Sequence, residues 1–296
     1  MILHKPAITR FAPSPTGLLH LGHAVAALVA QDTAAQSGGQ FLLRIDDVDA
    51  SRCRAEFETA IYEDLRWLGL IWQPPVRRQS DHLREYQAAL DQLRGMELVY
   101  PCFCTRKEIL REAANAQDAP HGDEGPRYPG LCRSLSQSER RARLQAGAAI
   151  ALRLDCAKAM AKVGDQLDFY EHGSGPEGQT GLIQTHPDRL GDIVLARTGK
   201  DGVENCSYHL SVCADDAAQQ IGCVTRGWDL FSATHIQRLL QALLGLPVPE
   251  YRHHALAVDA AGKRLAKRHD ALSLRQLREQ GMTPAQVRTM ARAVSG

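Results

Sequence analysis

The chain has 296 residues, of which 44% are hydrophobic, with 35 basic and 34 acidic side chains. A chain of this size can bury a full hydrophobic core, and its formal net charge of +1 excludes a strong overall attraction to nucleic acid or to an acidic membrane. No apolar run has bilayer length, and residues 1–10 contain no signal-peptide segment, so we expect a cytoplasmic protein without a membrane partner. Eight cysteines are too few for a disulfide scaffold, and clustered cysteines are candidate metal ligands.

The first fifty residues have the pattern of a βαβ unit. An apolar strand at 8–12 is followed by a turn rich in proline, an Ala- and Leu-rich helix at 19–35 and a second strand at 41–45. This order predicts parallel strands with the loop at the carboxyl end of the first strand, which is where open parallel sheets bind ligands. Apolar residues at helical spacing predict further helices at 57–68 and 83–93, as an α/β domain requires.

The pattern changes at residue 100. Residues 100–133 are rich in Cys, Pro, Gly and charge and predict an insertion. Residues 149–154 and 191–196 predict strands that resume the sheet, and the region after Tyr208 is mostly helical in character.

Two segments match the residue pattern of phosphate-binding motifs but lack other features that those motifs require. GSGPEG at 173–178 has the GxGxxG form, but proline and glycine surround it, which indicates a surface loop instead of a strand that leads into a helix. Gly17 and Gly22 have P-loop spacing, but His23 stands where that motif needs lysine. The sequence therefore argues against a Walker-type NTPase.

Two histidines begin the first helix, in the tetrapeptide His20-Leu21-Gly22-His23. Residues three apart share one face of a helical turn, so both imidazoles can point at one phosphate chain. The amides of a helix N-terminus favour an anion there, and Gly22 lets a nucleotide approach closely. Taken alone, these residues also fit ordinary surface histidines that cap a helix.

Their context is more specific. The segment RFAPSPTG (10–17) leads directly into the histidines, and RIDDVD (44–49) follows on the next strand. This ordered combination resembles class I aminoacyl-tRNA synthetases of the glutamyl type, and NCSYHL (205–210) and TRGWDL (225–230) resemble that family's substrate-binding segments. The resemblance spans most of the chain and implies a Rossmann-like catalytic domain that uses ATP, L-glutamate and Mg²⁺.

The same resemblance implies a glutamate site. In it, Arg10 and Arg226 bind the two carboxylates of glutamate, Asp46 holds its ammonium, and Tyr208 lines the pocket. A guanidinium offers paired donors to a carboxylate, and an acid balances an ammonium, so these roles suit the side chains. The other residues implied for this site are Phe11, Ala12, Pro13 and Ser14.

ATP binding is implied for His20, Gly22, His23 and Lys267. Residues 264–268, RLAKR, occupy the place of the family's second signature, KMSKS, with arginine for the first lysine and alanine for the first serine. Adenylation builds negative charge at phosphorus, so it needs positioned cations more than a protein nucleophile. We therefore expect His20, His23 and Lys267 to be the catalytic residues, together with Mg²⁺.

Three cysteines lie in the insertion: Cys102, Cys104 and Cys132. Their spacing alone leaves a zinc site and buried free thiols equally open. Resemblance to short glutamyl-type enzymes implies one structural zinc ion with Tyr128 as the fourth ligand, while His121 and Asp123 are chemically easier alternatives.

The segment after the second signature is short, and we expect no anticodon-binding domain. In this respect the chain resembles truncated paralogues in the family that attach glutamate to queuosine at the wobble position of tRNA-Asp, so that tRNA is the expected partner. The alternatives are a truncated conventional synthetase that charges a tRNA 3′ end and a non-catalytic RNA-binding relative. The basic surplus of residues 263–296 fits either an RNA backbone or a solvated helical face, and we expect a monomer.

The expected fold is thus α/β, with a small zinc-binding insertion and a helical C-terminal part. The predicted boundaries are 1–99 for the first half of the catalytic domain, 100–135 for the insertion, 136–230 for the second half and 231–296 for the helical region with the KMSKS-like loop.

Overall fold

The computed structural model describes residues 5–115, 121–122, 125–147, 150–164, 166–198, 204–257 and 272–293. Its strands are β1 (Ile8–Phe11), β2 (Gln40–Ile45), β3 (Arg77–Arg78), β4 (Val99–Cys102), β5 (His121–Gly122), β6 (Gly125–Pro126), β7 (Ala151–Leu154), β8 (Asp168–Glu171), β9 (Gly181–Gln184), β10 (Val194–Thr198), β11 (Glu204–Cys206), β12 (Cys223–Gly227) and β13 (Glu250–His254). Its α-helices are α1 (Leu21–Ser37), α2 (Ala55–Trp67), α3 (Leu83–Gly95), α4 (Arg106–Asn115), α5 (Gln137–Gln145), α6 (Cys156–Val163), α7 (Tyr208–Ala218), α8 (Phe231–Leu244), α9 (Leu274–Glu279) and α10 (Pro284–Ala293).

The parallel strands form the centre of the fold. One ladder has the order β1-β2-β3, and a second has the order β12-β13-β8 with β9 antiparallel at its edge. The Gly222 N–H donates to the Ile8 carbonyl at 2.9 Å, so β12 lies beside β1. The strands therefore run β3-β2-β1-β12-β13-β8, a doubly wound order in which the direction of winding reverses between β1 and β12.

Helix α1 covers this junction. Ala24, Ala27 and Ala30 are fully buried, and such small side chains let the helix axis come close to the sheet. The helix ends at Gly38, whose φ of 69° is the left-handed conformation that glycine adopts at low cost. The predicted βαβ unit is confirmed, and the reversal point of the sheet lies at the first turn of this helix.

Two predicted strands belong to another sheet. The strands predicted at 149–154 and 191–196 form as β7 and β10, but they do not resume the parallel sheet. They pair antiparallel with each other and lie within the order β11-β10-β7-β4. The expectation was wrong on this point because apolar content predicts a strand but not its partner. The loop at 173–178 joins the antiparallel strands β8 and β9, in agreement with its prediction as a loop.

The region predicted to be helical contributes a strand. β13 lies beyond residue 230, and it pairs with β12 throughout its length, in register from Glu250 to His254. Helices α9 and α10 pack against the core around α1 through Leu274, Leu277 and Val287, so they are an integral part of this core. In the described part of the chain, every helix falls short of the length and apolar character needed to cross a bilayer.

Candidate active site

A cavity of about 320 Å³ opens where β1 and β12 end. Most residues predicted for the glutamate and ATP sites line it: Arg10, Phe11, Ala12, Ser14, His20, Gly22, His23, Asp46, Tyr208 and Arg226. Pro13 lies behind them, and its carbonyl accepts a hydrogen bond from the Asp46 N–H at 3.1 Å. Residues that are more than 200 positions apart therefore meet at the reversal point of the sheet, where such folds bind ligands.

Arg10 is held by a carboxylate. Its Nε and Nη2 donate to the two oxygens of Asp216 at 2.9 and 3.2 Å, and its Nη1 donates to the Thr225 carbonyl at 3.2 Å. Burial raises the pKa of Asp216, but the charges of Arg10 and Arg44 outweigh burial and lower that pKa below its ordinary value. The positive charge of Arg10 is therefore largely balanced within the protein.

Arg44 connects Asp46, the candidate for binding the ammonium group, to the same hydrogen-bond network. Its side chain is fully buried and donates to Asp46 at 2.7 Å and to Asp216 at 2.6 Å. Burial raises the pKa of Asp46 above its ordinary value although Arg44 opposes the change. Arg44 and Asp216 thus fix the positions of Asp46 and Arg10 relative to each other.

Arg226 has surroundings of a different kind. Its Nη1 donates to Gln237 Oε1 at 2.8 Å, its Nη2 to Thr234 Oγ1 at 2.6 Å and its Nε to His253 Nε2 at 3.1 Å. These three acceptors are all uncharged, although Arg226 is 95% buried, with 5% of its surface exposed. The cavity wall on the β12 side therefore carries a positive charge that its hydrogen-bond partners do not balance.

The two signature histidines cap helix α1. The Gly22 N–H donates to His20 Nδ1 at 3.1 Å, and the His20 N–H donates to His23 Nδ1 at 3.1 Å. Because both Nδ1 atoms accept hydrogen bonds, each ring carries its proton on Nε2. The capping role and the ligand-binding role are thus compatible, since each imidazole retains an N–H donor on Nε2.

Described residues on both sides of the segment 258–271 lie at or beside this cavity. Lys267 and the rest of 264–268 lie outside the described residues, but Ala257 lines the cavity. Ser273 pairs with His20 in a single antiparallel bridge, and the Leu274 N–H donates to the Leu19 carbonyl at 2.8 Å. Of the described residues on either side of Lys267, Ala257 therefore lines the cavity, and Ser273 contacts His20, which also lines it.

A second and larger cavity, of about 1110 Å³, adjoins the first. Tyr208, the first residue of α7, lines both. Five arginines and three carboxylates line the larger cavity: Arg106, Arg127, Arg153, Arg189, Arg197, Glu177, Asp188 and Asp192. This balance favours an anionic ligand.

The three cysteines of the insertion meet. The sulfur atoms of Cys102, Cys104 and Cys132 lie within 4.8 Å of one another, and Cys104 and Cys132 are 3.5 Å apart. The Tyr128 hydroxyl lies 3.3 Å from Cys102 Sγ and 3.6 Å from Cys104 Sγ. This donor set could hold a metal ion with Tyr128 as a fourth ligand. Asp123 and the side chain of His121 fall outside the part of the chain that is described.

Comparison with known families agrees with this geometry. The family model described as tRNA synthetases class I (E and Q), catalytic domain, matches residues 7–294. The chain belongs to this family. The predicted fold class, a class I synthetase catalytic domain, is therefore confirmed.

Within the class I synthetases, the chain is similar to several individual proteins. The chain is 47% identical to a glutamyl-Q tRNA(Asp) synthetase of Rhodobacter capsulatus, over 96% of this chain and 99% of the relative. It is 42% identical to a protein of the same name from Nocardia farcinica, over 94% of this chain and 81% of the relative. A solved glutamate tRNA ligase from Elizabethkingia meningosepticum matches with a TM-score of 0.69 and 26% identity, over 94% of this chain. The chain spans 54% of that structure, about half its length.

Sequence reasoning did not find several residues that shape the synthetase site. Arg44 lies within a quoted motif, but its spacing gave no sign that it would bridge two carboxylates. Asp216, Glu171 and His253 belong to no motif, and they reach the site only through sheet pairing that brings distant strands together. An unpaired charge in an apolar interior is unfavourable. The arginines of the motifs therefore indicate that polar or acidic partners must lie near them, although the sequence does not show which residues these are.

Proposed function

We propose that this synthetase activates L-glutamate with ATP to form glutamyl-AMP and transfers the glutamyl group to queuosine at the wobble position of tRNA-Asp. The observation that carries the first half is the cavity at the sheet reversal, where Arg226, Arg10 and Asp46 meet the two signature histidines. Arg226 and Arg10 are the candidates for binding the two carboxylates of glutamate, and Asp46 is the candidate for binding its ammonium group. The near full-length similarity to proteins named glutamyl-Q tRNA(Asp) synthetase supports the second half.

The charge pattern favours one orientation of glutamate. The ammonium and the α-carboxylate share a carbon atom, so they suit Asp46 and Arg10, which belong to one network. The side-chain carboxylate then faces Arg226, whose partners are uncharged. A carboxylate would balance that buried charge, whereas a carboxamide would leave it uncompensated.

The ATP phosphates fit the first turn of α1. In the proposed step, an α-carboxylate oxygen bonds to the α-phosphorus of ATP while the bond from that phosphorus to pyrophosphate breaks. His20 and His23 each carry an Nε2–H that can donate to phosphate oxygens, and Gly22 leaves room for them. Lys267 is proposed to stabilise the charge on the reacting phosphates, and Mg²⁺ bound with ATP supplies further positive charge.

The acceptor is proposed to enter through the larger cavity. This cavity carries an excess of arginines and meets the glutamate cavity at Tyr208. A nucleotide bound there would bring its base towards the activated carboxyl group, with its phosphates among guanidiniums. The cysteine cluster, which includes Cys104, borders the same cavity, and we propose that it holds one structural zinc ion.

Pyrophosphate exchange tests the activation half. Purified enzyme with ATP, Mg²⁺ and glutamate should transfer label from pyrophosphate into ATP, and glutamine should replace glutamate poorly. Replacing Lys267 with Ala should reduce this exchange strongly, while Lys158→Ala, which removes an exposed lysine paired with Glu97, should leave it unchanged. Lack of exchange in the wild type, with and without tRNA, would refute activation and favour a non-catalytic RNA-binding relative.

Transfer to defined tRNAs tests the acceptor. Labelled glutamate should appear on tRNA-Asp that contains queuosine and should be absent from the same tRNA prepared without that base. Labelling of tRNA-Glu at its 3′ end would instead identify a truncated conventional synthetase.

A further inference from the structure

A buried carboxylate supports Arg226 through a histidine. Glu171 Oε2 lies 2.6 Å from His253 Nδ1, and His253 Nε2 lies 3.1 Å from Arg226 Nε. The side chains of Glu171 and His253 are both 0% exposed. The three residues come from the neighbouring parallel strands β8, β13 and β12, so the sheet itself sets their spacing.

The donors and acceptors in the series Glu171–His253–Arg226 determine the tautomer of His253. Arg226 Nε can only donate, so His253 Nε2 accepts and carries no proton. His253 Nδ1 therefore carries the proton and donates a hydrogen bond to the Glu171 carboxylate. Burial lowers the pKa of His253 to about 4, which keeps the ring neutral near pH 7. Burial raises the pKa of Glu171, but its hydrogen bonds and the His253 contact outweigh burial and lower it, which keeps Glu171 ionised.

The consequence concerns the charge on Arg226. A carboxylate placed directly on this guanidinium would neutralise it, as Asp216 does for Arg10. The imidazole holds Arg226 in place but separates it from the negative charge of Glu171. The guanidinium is thus fixed in position by described acceptors that are uncharged, and an anion in the cavity would balance its charge.

We propose that Glu171 and His253 are positioning residues that make this site select a carboxylate over a carboxamide side chain, because they fix Arg226 without neutralising it. This inference rests on the proposed function, in which Arg226 receives the side-chain carboxylate of glutamate. It adds two residues outside the cavity, Glu171 and His253, to those that determine the selection of glutamate over glutamine.

Replacing Glu171 with Gln reverses the tautomer at nearly constant volume. Glu171 Oε1 accepts from the backbone N–H groups of Gly173 and His253 at 2.7 and 2.8 Å. The single oxygen of the substituted carboxamide is needed for those two donors, so its NH₂ group must face His253 Nδ1. The imidazole then carries its proton on Nε2, directly opposite the Nε–H of Arg226, and two donors repel each other.

The experiment is pyrophosphate exchange with glutamate and with glutamine in the wild type, Glu171→Gln and Glu250→Gln. We expect Glu171→Gln to raise the KM for glutamate about tenfold or more, because a charge-assisted contact is lost. The kcat and the KM for ATP should change little, and the preference for glutamate over glutamine should fall. Glu250→Gln is the matched control, since Glu250 of β13 contacts His172, the residue after β8, at 2.6 Å, and Arg226 has its described hydrogen bonds with other residues.

A spectroscopic readout keeps this inference separate from the proposed function. The ¹⁵N shifts of His253, assigned with a His253→Gln variant, should report a proton on Nδ1 in the wild type and on Nε2 in Glu171→Gln. Unchanged KM values and an unchanged tautomer in Glu171→Gln would overturn the positioning role while glutamate activation stood. If the wild type showed no exchange, the proposed function would fail. Calorimetry of glutamate binding would then test the positioning role of Glu171 and His253. Equal affinities for glutamate in the wild type and in Glu171→Gln would overturn that role.

Discussion

Asp216 binds Arg10 through both of its carboxylate oxygens, and both side chains are at least 92% buried. The same carboxylate also accepts from Arg44 at 2.6 Å. Two guanidiniums thus share one acid, and the cavity keeps its shape because this acid is ionised and fixed. The proposed glutamate site therefore depends on a residue of α7 that has no place in any signature.

Replacing Asp216 with Asn should damage both stability and catalysis. The change leaves two buried guanidiniums without their shared charge, and breaking a buried ion pair from one side costs about 3–5 kcal/mol of unfolding free energy. Urea unfolding measures this loss, and exchange kinetics should show a lower kcat/KM for glutamate. Asp91→Asn is the control, because its pair with Arg94 is exposed and should cost less than about 1 kcal/mol. Equal losses in both variants would show that the buried network has no special role.

Some parts of the site could be predicted from the sequence and others could not. Arg10, His20 and Asp46 were predictable because they lie in motifs that resemble those of a known family, at β1, just before α1 and just after β2. Strands β12 (CVTRG) and β13 (EYRHH) carry arginine and histidines that face partners in the interior, so they lack the apolar alternation that marks a strand. The pairing of β7 with β4 depends on contacts between distant residues, and the local sequence does not encode it.

The contact of Ser273 with His20 should matter for ATP binding. Ser273 caps α9, where its hydroxyl accepts from the Gln276 N–H at 3.2 Å, next to the bridge with His20. Ser273→Ala should lower stability by about 1 kcal/mol and loosen the end of the segment that contains Lys267. We expect the KM for ATP to rise about fivefold, equivalent to about 1 kcal/mol of binding free energy.

Helix α10 supplies the matched control for this prediction. Thr283 and Gln286 make the same set of hydrogen bonds at its start, with the Gln286 N–H donating to Thr283 Oγ1 at 3.3 Å. Thr283→Ala should therefore cost similar stability without changing the KM for ATP. If both variants affected ATP equally, the effect would come from general destabilisation and not from the anchor beside His20.

Asp64 should make the unfolding free energy depend on pH. It is fully buried in α2, neither of its carboxylate oxygens has a hydrogen-bond partner among the described residues, and burial raises its pKa from 3.8 to about 6. Because the folded state holds the proton more tightly than the unfolded state, stability falls as pH rises from about 4 to 6 and stays lower above that range. Asp64→Asn removes this titration, so it should be more stable than the wild type at pH 7.5, by about 1–3 kcal/mol, and should gain little at pH 4. Thermal or urea unfolding at the two pH values measures the difference, and an equal effect at both would contradict the buried, unpartnered carboxylate.

The cysteine cluster predicts a measurable metal content. Three sulfurs and the Tyr128 hydroxyl approach one another closely enough to surround one ion, so the purified protein should contain about one zinc ion per chain. Cys104→Ala should lose most of this metal and lower the melting temperature, and a chelator should lower it in the wild type as well. Cys53→Ala, which changes a cysteine outside the cluster, should keep both metal and melting temperature. A metal-free wild type with a melt that chelation does not alter would show that the three sulfurs are packing residues, because a bound structural ion contributes directly to folding free energy.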